Sequence, residues 1–166
     1  METAIGERVL RKNKIVIGAT ILAVLGTLIL MGIAQTYRIS GDCMEPAIKD
    51  GKLYFLNKLS SYFRKYRVGD IIVCEHEGKQ WIARIAALEN DTIQIDEQKI
   101  KVNNAVLQDD VHRNWKNWEY GSYAIKQSLV VPKNHVYLLS DDLSAHHDDS
   151  RVWGPIAFQN ILGVIW

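Results

Sequence analysis

Two short stretches hold residue types able to do chemistry. "SGDCMEPAIKDG", Ser40 to Gly51, sets Cys43 in a loop punctuated by Gly41, Pro46 and Gly51, and "SAHHDDSR" strings His146 and His147 beside Asp148 and Asp149. Cysteine is a good nucleophile, with a few per cent thiolate unaided at pH 7, and a neighbouring histidine raises that fraction sharply. A solvated polar loop accounts for the "HHDD" run on the bland view, and a small residue in an inert loop accounts for Cys43. Adjacent side chains in a strand or turn point apart, so the run makes no closed metal site; no metal and no cofactor are expected. Cys74 is the second of two cysteines, too few for a disulfide framework, although a bridge is permitted in an oxidising compartment.

The elements that must position these residues are mostly strands. "KLYFL", "DIIVCEH", "WIARIAAL", "TIQIDE", "KIKVNN", "SLVV", "HVYLL" and "NILGVIW" have strand length and composition. Gly51, Gly69-Asp70, Glu77-Gly78, Glu89-Asn90-Asp91, Asn103-Asn104 and Pro132-Lys133-Asn134 separate them with turn chemistry. Gln108 to Ser128 has no clear period, and its aromatics read as an irregular flap packing its own rings. "SSYFRKYR", Ser60 to Arg67, interleaves basic and aromatic residues, a composition suited to a solvated loop or to contact with anionic headgroups.

Ile15 to Ala34 contains no charged residue and is long enough, at about 20 residues, to cross a bilayer as a helix. Arg8, Arg11, Lys12 and Lys14 precede it, and short positive flanks stay in the cytoplasm. The expectation is a cytoplasmic tail over 1–14, an uncleaved transmembrane anchor over 15–35 and one extracytoplasmic domain over 36–166. With 166 residues and 20 basic against 19 acidic side chains, there is room for one domain and no positive field that would draw nucleic acid.

Four segments in order resemble the type I signal peptidase family. "SGDCMEPAI" resembles its S-G-x-S-M-x-P-T nucleophile loop, "VGDIIV" the next strand, "IARIAALENDTI" the segment holding its general-base lysine, and "SDDLSAHHDDSRVWGPI" its closing motif. The resemblance implies a mainly β domain behind the anchor and a serine attacking the scissile carbonyl while an unprotonated lysine takes its proton. Here Cys43 takes the serine's place and Ala83 the lysine's, and a methyl group accepts no proton. Glu89 and Asn90 depart from the motif as well. His147, or His146 given one extra residue, falls where the family has the serine that positions its lysine. Ser40, Gly41, Met44 and Pro46 match the loop. Arg84, Asp142 and Ser150 match flanking positions, and Asp149 with Arg151 the family's ion pair.

Two functions follow from the resemblance. One is a non-catalytic factor that binds an exported or pilin-like polypeptide for assembly, as in the subgroup of Gram-positive relatives lacking an intact dyad. The other is an endopeptidase rebuilt on Cys43 and His147, with Asp142 or Asp149 orienting the imidazole. Oligomeric state is not legible in the sequence.

Overall fold

The computed structural model describes residues 2–60, 64–96, 99–107, 111–112, 119–124, 128–143 and 148–165, and within its first helix the side chains of residues 12–28 only. The chain separates into two units, Met1–Gln35 and Thr36–Trp166.

The first unit is the helix α1, Glu2–Ile33. It encloses nearly all of the apolar stretch expected to span a membrane. Among the described residues no helix is long and apolar enough to cross a membrane; the expected span runs on to residue 34, beyond the side chains described.

The second unit is built from antiparallel strands, as the alternation of the sequence requires. β1 is Ala34–Arg38, β2 Leu53–Asn57, β3 Ile71–His76, β4 Lys79–Ala87, β5 Thr92–Asp96, β6 Lys99–Val102, β7 Ala105–Val106, β8 Leu129–Val130 and β9 His135–Leu139. A four-residue helix α2, Ser150–Trp153, then precedes β10, Ile156–Ala157, and β11, Ile161–Ile165. Seven strands form one sheet in the order β1-β2-β11-β3-β4-β9-β10, and four form a second, β7-β6-β5-β8. Residues at +52° and +73° join β3 to β4, Glu77 and Gly78, and at +53° and +65° join β6 to β7, Asn103 and Asn104. Positive φ at both central residues is the two-residue turn whose twist matches that of the flanking strands.

Strand alternation splits the core. On β3, Ile72 and Cys74 face one apolar cluster, which Ala83, Ile85, Val136 and Leu138 complete, while Val73 faces another with Ile39, Met44, Ile48 and Leu56. A third cluster, Ile93, Ile95 and Ile100 against Ala86, Tyr137 and Leu139, joins residues of the two sheets.

The partnering of β4 changes along its length. β3 pairs with it from His76↔Lys79 through Ile71↔Arg84, whereas β9 pairs with it only at Arg84, Ile85 and Ala87. Among the described residues, the outer edge of β4 from Lys79 to Ala83 therefore has no neighbouring strand. β1 likewise ends the sheet, with β2 on one side only.

Candidate functional site

The loop from Ser40 to Gly51 is a closed excursion between β1 and β2. Ile39 and Lys52 clamp its base, with Ile39 N–H donating to the Lys52 carbonyl at 3.1 Å and Gly51 N–H to the Ile39 carbonyl at 3.0 Å. Gly41 sits at φ +116°, in the region that favours glycine, and its N–H donates to Asp50 Oδ1 at 2.9 Å. Met44 is fully buried beneath the loop with Ile48, and Glu45–Pro46 is a cis peptide.

Cys43 is half-buried at the top of this loop. Its carbonyl accepts the Asp142 N–H at 2.9 Å, which ties the loop to the segment after β9. Burial pushes its thiol up to about 11; Asp42, and more weakly Asp141 and Asp149, push the same way, against a backbone hydrogen bond that lowers it. Removing a thiolate from water and surrounding it with carboxylates both disfavour the charged form. Cys74 lies in a different apolar cluster, and both cysteines are free. Ala83, on β4 opposite Ile72, is 1% exposed among Ile72, Ile85, Val136 and Leu138. Nothing at that position can take up a proton.

Two ion pairs brace the site. Arg84 grips Asp141 through two bonds, Nε to Oδ1 at 2.8 Å and Nη2 to Oδ2 at 2.7 Å, while its Nη1 donates to the Gly69 carbonyl. Asp149 and Arg151 are both fully buried and joined by Nε and Nη2 at 2.8 Å. The Asp149 carboxylate also accepts the N–H groups of Ser140 and Arg151, the latter as the N-cap of α2. Ser150 Oγ accepts the Leu138 N–H at 2.8 Å, stitching α2 to β9. Each carboxylate oxygen of Asp141 and Asp149 accepts at least one hydrogen bond, the condition under which buried charge is tolerated. Asp141 was missed as a site residue at the level of sequence, although it stands at the aspartate of the motif matched by Ser140-Asp141-Asp142.

A cleft of about 250 Å³ opens beside Cys43. One wall is Tyr37 to Gly41, the other Gln80, Trp81 and Ile82. These walls are the end of β1 with the start of the loop that follows it, and the first half of β4, whose outer edge has no neighbouring strand among the described residues. Ser40, Ser140 and Asp148 complete the lining, and the Tyr120 hydroxyl reaches Asp148 at 3.4 Å. The structure thus brings together Ser40, Gly41, Cys43 and Ser140 at the cleft, with Asp142 held to Cys43 through its backbone and Arg84, Asp149, Ser150 and Arg151 behind it. His146 and His147 lie outside the described residues. The cleft walls were not legible as such in the sequence, because an unpaired strand edge is a property of topology. Among the described residues no cluster of three or more His, Cys, Asp or Glu could hold a metal ion.

The domain is mainly antiparallel, with a cysteine loop at an open sheet edge and a buried Asp-Arg pair behind it. The family model "Signal peptidase, peptidase S26" matches residues 11–166, and the chain belongs to that family. It is 27% identical over 138 residues to signal peptidase I V of Bacillus subtilis, covering 78% of this chain and 82% of that protein. It is also 27% identical over 144 residues to thylakoidal processing peptidase 1 of Arabidopsis thaliana, covering 79% of this chain. The chain spans about 40% of the length of that plant relative and 36% of a second one. The crystal structure of a signal peptidase I from Enterococcus faecalis superposes with a TM-score of 0.50 at 22% identity, over 62% of this chain and 98% of that one, which is a likeness of fold.

Proposed function

We propose that this chain is a non-catalytic member of the signal peptidase family, anchored in a membrane by Ile15 to Ala34 with residues 36–166 outside, that holds an extended segment of an exported, pilin-like polypeptide for assembly. The observation that supports the reading is an open cleft beside Cys43 together with a buried alanine, Ala83, at the position matched to the family's lysine. Cys43 sits at the mouth of the cleft with its thiol pushed up to about 11, and the base position is a buried methyl group. The unpaired edges of β1 and β4 offer main-chain donors and acceptors to an added strand, and strand addition draws its affinity from those bonds without a nucleophile or a base. An unbroken apolar stretch behind four basic residues supports the anchor and its orientation.

The test compares two variants in an assembly assay for the surface protein, with anchoring and thermal unfolding measured alongside. Cys43→Ala is expected to assemble at the wild-type rate. Ser40→Arg places a long cation at the exposed rim of the cleft and is expected to abolish assembly while the domain stays folded. Gly41 is a poorer choice, because any side chain at φ +116° strains the loop itself. Loss of assembly in folded, anchored Cys43→Ala would refute the non-catalytic reading and leave the Cys43–His147 endopeptidase in its place.

A further inference from the structure

A second, larger cavity of about 590 Å³ lies away from Cys43, formed where the segment after β2 meets the end of β4 and the turn before β11. Its floor is apolar, with Leu88, Ile161 and the rings of Tyr66 and Phe158, whose centroids are 5.3 Å apart. Its rim is cationic, with Lys58, Arg64 and Lys65. The charges are not equivalent. Arg64 is held by both oxygens of Asp70, at 2.7 and 3.0 Å, so its charge is spent within the fold. Lys58 and Lys65 are exposed and pair with no carboxylate among the described residues. Glu89, the one acid on the rim among the described residues, has one oxygen committed to the Asn134 N–H at 2.7 Å.

We propose that this cavity seats the glycerophosphate head and upper chain of an anionic phospholipid, with the phosphate between Lys58 and Lys65 and the first methylenes over Tyr66 and Phe158. The charge and the shape argue together. Two ammonium groups that pair with no carboxylate among the described residues, at the edge of an aromatic and aliphatic hollow, match a ligand with an anionic end and an apolar body. The volume lies within the ~300–1,000 Å³ of ordinary ligand sites. Interleaved Lys, Arg and Tyr is the composition that settles at a bilayer surface, where rings meet the acyl boundary and cations meet the headgroups. The inference rests on the membrane anchor proposed above. A domain that begins two residues after the apolar stretch is confined near the bilayer, which raises the effective lipid concentration it experiences.

The experiment uses the full chain in phosphatidylcholine nanodiscs doped with photoreactive phosphatidylglycerol, and locates cross-links by mass spectrometry. Cross-links are expected at Tyr66 or Phe158, at least about five-fold stronger than with photoreactive phosphatidylcholine, and reduced to that lower level in Lys58→Glu/Lys65→Glu with unfolding temperature unchanged. Equal labelling by both lipids, or labelling confined to other surfaces, would overturn the proposal. So would protection of Lys58 and Lys65 from acetylation by soluble glycerol phosphate as well as by phosphatidylglycerol, since a free anion would then be the ligand. Failure of the chain to enter nanodiscs at all would count against the anchor instead.

Discussion

Alkylation of Cys43 separates a retained nucleophile from a relic. Raising a thiol from about 9 to about 11 lowers its thiolate fraction at pH 7 about 100-fold, from ~10⁻² to ~10⁻⁴. Part of that loss is recovered, because a more basic thiolate is a better nucleophile, with a Brønsted slope of about 0.4–0.5 that returns a factor of about 6 to 10. The net expectation is alkylation about 10-fold slower than that of an open cysteine. The rate should climb through alkaline pH with no plateau near neutrality. Iodoacetamide labelling of the full chain, quenched at intervals and resolved by peptide mass spectrometry, reads Cys43 separately from buried Cys74. Burial is the largest cause and Asp42 the next, so Asp42→Asn is expected to speed labelling without reaching the open-thiol rate. A plateau near pH 6 at or above the rate of free cysteine, abolished by His147→Ala, would refute this account of Cys43.

Further expectations concern the frame. Arg151→Met leaves the fully buried Asp149 without its partner; a loss of about 3–5 kcal/mol is expected in urea unfolding, and a change below about 0.5 kcal/mol would contradict the role given to the pair. Cys74, buried, has its thiol pushed up to about 12 by desolvation. A thiol held protonated in the fold contributes stability that is complete below the unfolded value near 9 and is lost as pH rises towards 12, at about 1.4 kcal/mol per pH unit. Unfolding followed from pH 8 to 11 should show that decline, and Cys74→Ala should lessen it while leaving the share that Cys43, raised to about 11, contributes. Ala83→Lys puts an amine where exposure is 1%; its pKa is expected well below the ~10.4 of open lysine, with a lowered unfolding temperature. Paired with Cys43→Ser, it should yield at most trace cleavage of a pre-protein. Turnover by the unaltered chain at the rate of an intact Ser-Lys enzyme would contradict the loss of the base.

Most of the strands were legible because period-two alternation and turn residues coincide. Asn103-Asn104 and Glu77-Gly78 mark hairpins with residues that tolerate positive φ. β1 was not, because it continues from α1 without a turn residue and "AQTYR" carries no alternation. The four-residue α2 is too short for any helical period, and Asp149, singled out for its charge, proves also to cap it. Gln108 to Ser128 gave no pattern because several of its described contacts reach residues far along the chain. Tyr123 donates its N–H to the Arg151 carbonyl at 2.7 Å and accepts the Tyr137 hydroxyl at 2.6 Å. Gly121 lies so close to Arg151 that a Cβ there would overlap that carbonyl oxygen. The match of Asp149 to Arg151 was visible in the motif, whereas the grip of Arg84 on Asp141 spans 57 residues and needed β4 and β9 side by side.

β4 belongs to the sheet interior at one end and to its margin at the other. From Arg84 onward it is paired with β9 on one side, and on the other with β3 at Arg84 and the Gly69–Asp70 turn at Ile85, so its amides there should exchange with solvent deuterium only when the domain opens broadly. Before Arg84, amides directed away from β3 should exchange through small local fluctuations. A single strand would then report two clocks, slow in its second half and fast in its first. Filling the cleft with a peptide backbone should slow the fast one and leave the slow one unchanged.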